Sequence, residues 1–156
     1  MYFGEAITKI DDKGRITVPR KIRETMETLG HAIWYMARGY DHCIFLFHRD
    51  EFNKIRQFVG RHSSMDADTV DFRRMFFSSV AEVRPDNQGR IPLAPHLRDY
   101  AGLDSEAVLI GVDDHLELWS TARWKEFQER NREGYKEQAS PIFSYRDETS
   151  QPERVA

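Results

Sequence analysis

One short segment occurs twice in this chain, and that repeat limits what the chain can fold into. Asp11-Asp12-Lys13-Gly14-Arg15-Ile16-Thr17-Val18-Pro19 returns 75 positions later as Asp86-Asn87-Gln88-Gly89-Arg90-Ile91-Pro92-Leu93-Ala94. Asp, Gly, Arg and Ile keep their offsets, and Ile22-Arg23 or Leu97-Arg98 follows at the same distance. A repeat long enough to hold a strand, a turn and a helix means duplicated architecture. The Asp carboxylate offers the turn a side-chain acceptor, and the glycine permits a positive φ. One copy carries a basic cluster that the other has mostly lost, and that asymmetry bears on function.

Each half reads in the same order. Phe3 to Ile10 alternates as a strand, with Ala6, Thr8 and Ile10 on one face. After the Asp-Gly turn, Arg15 to Val18 is a second short strand rich in β-branched residues. Pro19 opens a helix, where a missing N–H costs nothing. Ile22, Met26 and Leu29 form its apolar stripe and Gly30 its end. Ala32 to Ala37 and His42 to Phe47 predict a hairpin around Tyr40-Asp41. A helix capped by Asp50 follows, with Phe52, Ile55, Phe58 and Val59 inward and Gly60 beyond its end. Residues 61–77 read as a linking loop and a helix from about Ala67 to Phe77. Residues 78–138 replay the order: a strand from Ser79 to Arg84, the second turn, a short strand from Arg90, and a helix opened by Pro95. A hairpin around Asp113-Asp114 and a helix begun by Ser120 and carrying Trp124 and Phe127 complete it. Pro92 cannot donate a full ladder, so that short strand is expected at an edge. Residues 139–156 show no apolar period and are expected to be disordered. The fold class is therefore α+β, with residues 1–60 and 78–138 as the two halves. One half has too few strands to bury its apolar faces. Two halves pairing their hairpins could close a small barrel.

Net charge is -3, which by itself argues against a nucleic-acid partner. The charge is unevenly spread. Residues 1–75 hold 13 Lys/Arg against 11 Asp/Glu, a net of +2, and residues 76–156 hold 10 against 15, a net of -5. A phosphate-bearing partner would therefore meet the first half. Cys43, the single cysteine, lies beside Ile44, Phe45 and Leu46 and reads as a buried free thiol. The lack of cysteine pairs fits a reducing cytoplasm. No apolar run is long enough to span a bilayer, and Met1 to Ile10 does not read as a signal peptide. The six histidines, His31, His42, His48, His62, His96 and His115, form neither His-x-His nor His-Glu-x-x-His. No zinc-finger spacing, P-loop or nucleophile elbow is present, so the sequence predicts no metal, no cofactor and no enzyme activity. His42 and His115 occupy matching hairpin positions and suggest a shared structural hydrogen bond.

The paired Asp-x-x-x-Arg motifs, Asp11 to Arg15 and Asp86 to Arg90, each lie between a strand and a Pro-started helix. With Lys-Gly-Arg-Ile-Thr-Val-Pro, Gln-Gly-Arg-Ile-Pro-Leu and the Trp124 helix, they make the chain resemble the MraZ family of the AbrB-like, swapped-hairpin transcription factors over about residues 1–138. The resemblance implies two tandem AbrB-like halves forming one pseudo-symmetric swapped-hairpin β-barrel with peripheral helices. It implies a cytoplasmic, nucleoid-associated regulator of the division and cell-wall gene cluster. Such a protein binds direct repeats in double-stranded promoter DNA and assembles head-to-tail into rings of about eight to twelve subunits.

The candidate DNA-binding residues are Lys13, Arg15, Arg20, Lys21 and Arg23. Their counterparts in the second half are Gln88, Arg90, Pro95, His96 and Arg98. Arg15 suits a guanine or phosphate contact, and equally an internal pair with Asp11 that pins the turn. Thr8, Lys9 and Thr17 could add phosphate contacts. Asp11, Gly14, Asp86, Gly89 and Arg90 read as motif-structural. The same cations could instead be a solvated face, or meet the acidic half of a neighbouring subunit in a ring-forming scaffold that binds no DNA.

Overall fold

The structure is a computed structural model that describes residues 1–62 and 64–149, with side chains to residue 144. The chain divides into two compact units, Met1–Thr121 and Ala122–Ala156.

Every strand of the first unit follows from the repeat. The first half supplies β1 (Glu5–Lys9), β2 (Arg15–Thr17), α1 (Arg20–Leu29), β3 (Trp34–Arg38), β4 (Ile44–His48) and α2 (Arg49–Arg61). After α3 (Ala67–Phe77), the second half supplies β5 (Ala81–Val83), β6 (Arg90–Pro92), α4 (Pro95–Ala101), β7 (Glu106–Gly111) and β8 (Leu116–Trp119). The halves interlock. β1 pairs with β7 of the other half, and β5 pairs with β3 of the other half, so Ala6 faces Leu109 while its counterpart Ala81 faces Met36. The two hairpins join through β4 and β8. The result is a six-stranded antiparallel sheet in the order β1-β7-β8-β4-β3-β5, with β2 and β6 forming a separate two-stranded sheet. Neither half could bury its strands alone, so the exchange makes one folding unit of two repeats.

A closed barrel is not formed. Among the described residues, no ladder joins the edge strands β1 and β5, and Pro85 stops β5 after three residues. The small sheet meets β1 through a side chain instead: Thr8 Oγ1 donates to the Thr17 carbonyl at 2.9 Å, and the Thr17 N–H donates back at 3.2 Å. Thr8 is therefore buried and structural, not a phosphate contact. Pro92 sits in a two-stranded sheet in which both members are edges.

Strand alternation divides the core. Trp34, Met36, Ile44, Leu46, Leu109, Leu116 and Leu118 face the small sheet, α1 and α4, where Ile16, Ile91, Ile22, Met26 and Leu97 meet them. Tyr35, Ala37, Phe45 and Phe47 face the other way, against Phe52 of α2 and Phe76 of α3. Burying a side chain of this size stabilises by about 1.5–3 kcal/mol. Cys43 is buried and free, as its apolar neighbours predict.

Several local expectations are corrected. His48, not Asp50, caps α2: its Nδ1 faces the Glu51 N–H at 3.4 Å. Helix α2 runs one residue past Gly60, and Phe58 is exposed. Leu29 is likewise half-exposed at the end of α1. His42 and His115 each make a hydrogen bond but not the same one, His42 Nδ1 meeting the Tyr100 carbonyl at 3.3 Å. His42 stacks on Tyr100, whereas His115 lies between Asp114 and Glu117 at 2.7 and 2.9 Å.

The second unit contains α5 (Thr121–Arg132), save its first residue, and α6 (Tyr135–Thr149). Trp124 stacks on Phe127 with ring centroids 5.5 Å apart. Residues 139–149, expected to be disordered, are helical despite Pro141. Strong helix formers, Lys136 to Ala139, start α6 without any apolar period, and Gln138 Nε2 ties it to Asn131 Oδ1 at 3.0 Å. The expectation for residues 150–156 lies outside the described residues. No helix among the described residues is long and apolar enough to cross a membrane.

Candidate nucleic-acid interface

The two repeated turns are built by one bonding scheme. Asp11 Oδ1 accepts the N–H groups of Lys13 and Arg15, both at 2.9 Å, and Asp11 Oδ2 accepts Arg15 Nε at 2.8 Å. Asp86 does the same for the N–H groups of Gln88 and Arg90 at 2.9 and 2.8 Å, and for Arg90 Nε at 2.7 Å. Gly14 and Gly89 complete the turns at φ +73° and +74°, a conformation that strains other residues. Each turn then bonds the opposite half: the Val18 N–H donates to Gly89 O at 2.8 Å, and the Leu93 N–H to Gly14 O at 2.9 Å. Ile16 and Ile91, fully buried, face each other on the pseudo-two-fold between them. The Arg15 backbone N–H holds the Asp11 carboxyl below its ordinary range. The Arg15 guanidinium and the Lys13 N–H add to this, against an opposing desolvation. The Arg90 N–H does the same for Asp86.

The internal Asp–Arg pair is thus present in both copies. It occupies Nε and leaves the two terminal guanidinium nitrogens of Arg15 without a hydrogen bond among the described residues. The Arg15 side chain is 26% exposed and that of Arg90 32%, so both are partly exposed and alike in this respect.

The difference between the copies lies around the turns. Lys13 is exposed at the tip of the first. Strand β2 leads through Pro19 into α1, which no side chain caps, and Arg20 and Lys21 are exposed in its first turn. Arg20 pairs with Glu24 at 3.0 Å, but the side chains are 86% and 60% exposed, a geometry that contributes little. Lys21 Nζ stands 5.1 Å over the ring of the exposed Phe3. Lys9 and Thr17 are exposed as well.

Arg23 is placed differently from the other four. It is half-buried and lies across the second turn, where a Cβ on Gly89 would come within 2.7 Å of its Cδ. Arg98, its counterpart, lies over Gly14 and donates to the carbonyls of Leu103 and Asp104 at 3.2 and 2.6 Å. This crossing of arginines over the opposite turn has no signal in the sequence beyond their shared offset. In the second half the places of Arg20 and Lys21 are taken by Pro95, at the start of α4, and His96, whose Nε2 bonds the Ser79 carbonyl at 2.8 Å.

An exposed cationic rim on a rigid turn and helix start can hold phosphate oxygens and reach a base edge. None of the five candidates is a metal ligand, and no nucleophile–base pair lies among them. Comparison with known proteins agrees with the duplicated turn. The family described as "MraZ protein, putative antitoxin-like" matches residues 1–75 and again 76–144. A protein of Syntrophomonas wolfei named "Transcriptional regulator MraZ" is 40% identical over 91% of this chain and 96% of its own. Namesakes from Saccharopolyspora erythraea and Heliobacterium modesticaldum are 37% and 34% identical, over 86% and 93% of this chain and 92% and 99% of theirs. With both halves matched and nearly the full length of each relative covered, the chain belongs to the MraZ family.

Proposed function

We propose that the protein is a transcriptional regulator that binds double-stranded promoter DNA at short direct repeats through the cations of its first half. One observation carries this reading. Two turns with the same internal bonds differ in their surroundings, and only the first keeps Lys13, Arg20 and Lys21 exposed beside its arginine. The names of the relatives, transcriptional regulators, support it.

In this reading Asp11 holds Arg15 by Nε and aims its terminal nitrogens at a guanine edge or a phosphate. Lys13, Arg20 and Lys21 hold flanking phosphates, which position the protein without specifying sequence. The uncapped N–H groups at the start of α1 favour an anion there. Arg23 joins the surface from the side of the second turn. A single module of this kind binds weakly and loses affinity by about 0.9 log units per log unit of salt for each phosphate neutralised. A head-to-tail ring or arc of about eight to twelve subunits would present several modules in one direction, as direct repeats require, and linked modules gain affinity roughly 100- to 10,000-fold. By family resemblance the target is the promoter of the division and cell-wall gene cluster.

The test is a band-shift titration on the DNA upstream of the protein's own gene, at two salt concentrations, against a scrambled duplex of equal length. Tight, sequence-selective and salt-dependent binding is expected. No shift at low salt, from folded protein, overturns the proposal in favour of a scaffold.

A further inference from the structure

The histidines carry no metal-binding motif in sequence, yet the fold gathers two of them with a carboxylate. His31 follows the left-handed Gly30 that ends α1, His48 closes β4, and Asp50 lies in the first turn of α2. One ligand atom from each residue lies within 4.8 Å of those of the other two. The imidazoles stack with centroids 3.7 Å apart and planes 6° from parallel. Trp34 meets both edge-on. The Tyr2 hydroxyl bonds His31 Nδ1 at 2.6 Å, and the Glu51 N–H faces His48 Nδ1 at 3.4 Å. Nε2 of neither ring has a hydrogen bond among the described residues, but on His48, whose Nδ1 accepts from Glu51, it carries the ring proton and must lose it to ligate. A cavity of about 120 Å³, lined by Gly30, His31, Ala32, Ile33, Arg49 and Asp50, opens beside His31 and Asp50.

From this geometry we propose that His31, His48 and Asp50 form a site for one divalent transition-metal ion, with Nε2 of each ring and an Asp50 oxygen as ligands. Two imidazoles and one carboxylate suit zinc, cobalt or nickel better than magnesium or calcium, which prefer oxygen alone. Ligand atoms around a tetrahedral ion at about 2.1 Å lie roughly 3.4 Å apart. The three groups must therefore converge, and one ring must turn out of the stack, because the lone pairs of two parallel imidazoles lie in separate planes and cannot meet at one ion. His31 can turn, because it is half-buried on a connecting segment, while His48 is held in the core. In the tautomer whose Nδ1–H donates to the Tyr2 hydroxyl, His31 carries its lone pair on Nε2, and such a contact is the usual one of a ligating histidine. The Glu51 contact is long for a hydrogen bond and yields when His48 Nδ1 takes the ring proton. Arg49 and the start of α2 make the surroundings positive, so the Asp50 charge is needed to admit a cation. The cavity has room for water as the fourth ligand. Such an ion would bind the N-terminal Tyr2, the α1–β3 connection and α2 into one cluster. This inference is independent of DNA binding.

The experiment uses the full chain, stripped with a chelator and titrated with Zn²⁺ and Co²⁺ by calorimetry, visible absorption and thermal unfolding. One ion per chain is expected, with a visible Co²⁺ band. Unfolding should move up by roughly 5–10 °C at about 100 times the dissociation constant. Asp50→Asn changes an exposed side chain and should keep the metal-free midpoint. It and His31→Gln should each weaken binding about tenfold or more, while His62→Ala leaves it unchanged. No saturable binding, binding that Asp50→Asn does not weaken, or binding that His62→Ala abolishes would each overturn the site.

Discussion

Arg15 and Arg90 make a matched pair in which one residue serves as the structural control for the other. Arg15 Nε meets Asp11 at 2.8 Å and Arg90 Nε meets Asp86 at 2.7 Å; both carboxylates are 38% exposed. Truncating either arginine to alanine removes the same ion pair from the same kind of turn. At this exposure such a pair contributes little, so Arg15→Ala and Arg90→Ala should lower the thermal midpoint by small and similar amounts. Any difference in DNA affinity then reports the DNA contact alone. For a guanine contact, Arg15→Ala should cost about 1–3 kcal/mol per module, roughly 5- to 150-fold, and relax specificity at one base position. For a phosphate contact, affinity should fall evenly across sequences and the salt slope by about 0.9. The assay is fluorescence anisotropy of labelled promoter and scrambled duplexes across a salt series, with midpoints measured in parallel. Equal losses of affinity in two folded variants would refute the assignment of the first half as the DNA-facing one.

Three further outcomes are expected. Gly14→Ala and Gly89→Ala should each cost about 1–2 kcal/mol because both positions need a left-handed backbone. Gly89→Ala should cost more, since its Cβ must also displace Arg23 whereas Gly14 meets Arg98 at only 3.5 Å; a larger loss at Gly14 in denaturant titration would contradict this. Ile16→Ala and Ile91→Ala, at fully buried and directly opposed positions, should each cost about 2–5 kcal/mol. Their double variant should depart from additivity in urea unfolding. Asp11 and Asp86 have carboxyl groups held below their ordinary range, so the stability they contribute is full above about pH 4 and is lost as pH falls through their folded values. The thermal midpoint of the Asp11→Asn, Asp86→Asn double variant should therefore fall less steeply below about pH 4 than that of the parent, and parallel slopes would count against the carboxylates.

Much of the site was legible because turn chemistry is local. Asp11, Gly14 and Arg15 are bonded to one another within five residues, and the same offsets at Asp86, Gly89 and Arg90 repeat the bonds. Strand and helix order followed for the same reason. What was not legible depends on residues far apart in sequence. The exchange of β1 and β5 between halves, and Arg23 lying on Gly89, are long-range pairings that no periodicity encodes. His48 capping α2 was missed because a histidine at a strand end carries no capping signal, whereas Asp50 two positions on does. Thr8 read as a surface hydroxyl because an alternating strand does not disclose that Thr17 will cover one of its faces.

The interlocked halves also explain how the two turns can differ in charge. An assembly of identical halves would carry the same residue at both turns, so every cation added to one would be added to the other. Here both halves lie in one chain, and the residues that the fold requires can stay while their neighbours diverge. Asp, Gly, Arg and Ile are retained at both turns, and each makes a bond, a positive φ or a buried contact there. Lys13, Arg20 and Lys21 stand exposed, and the contacts of Arg20 with Glu24 and of Lys21 with Phe3 lie on the surface, outside the turn. Two of their three replacements serve the fold instead: Pro95 starts α4, and His96 bonds the Ser79 carbonyl beside β5. The second turn thus carries less exposed charge and more internal support than the first. A division of labour between a binding copy and a supporting copy would leave that pattern, because the cost of the substitutions falls on the surface of one half while the shared core of both remains unchanged.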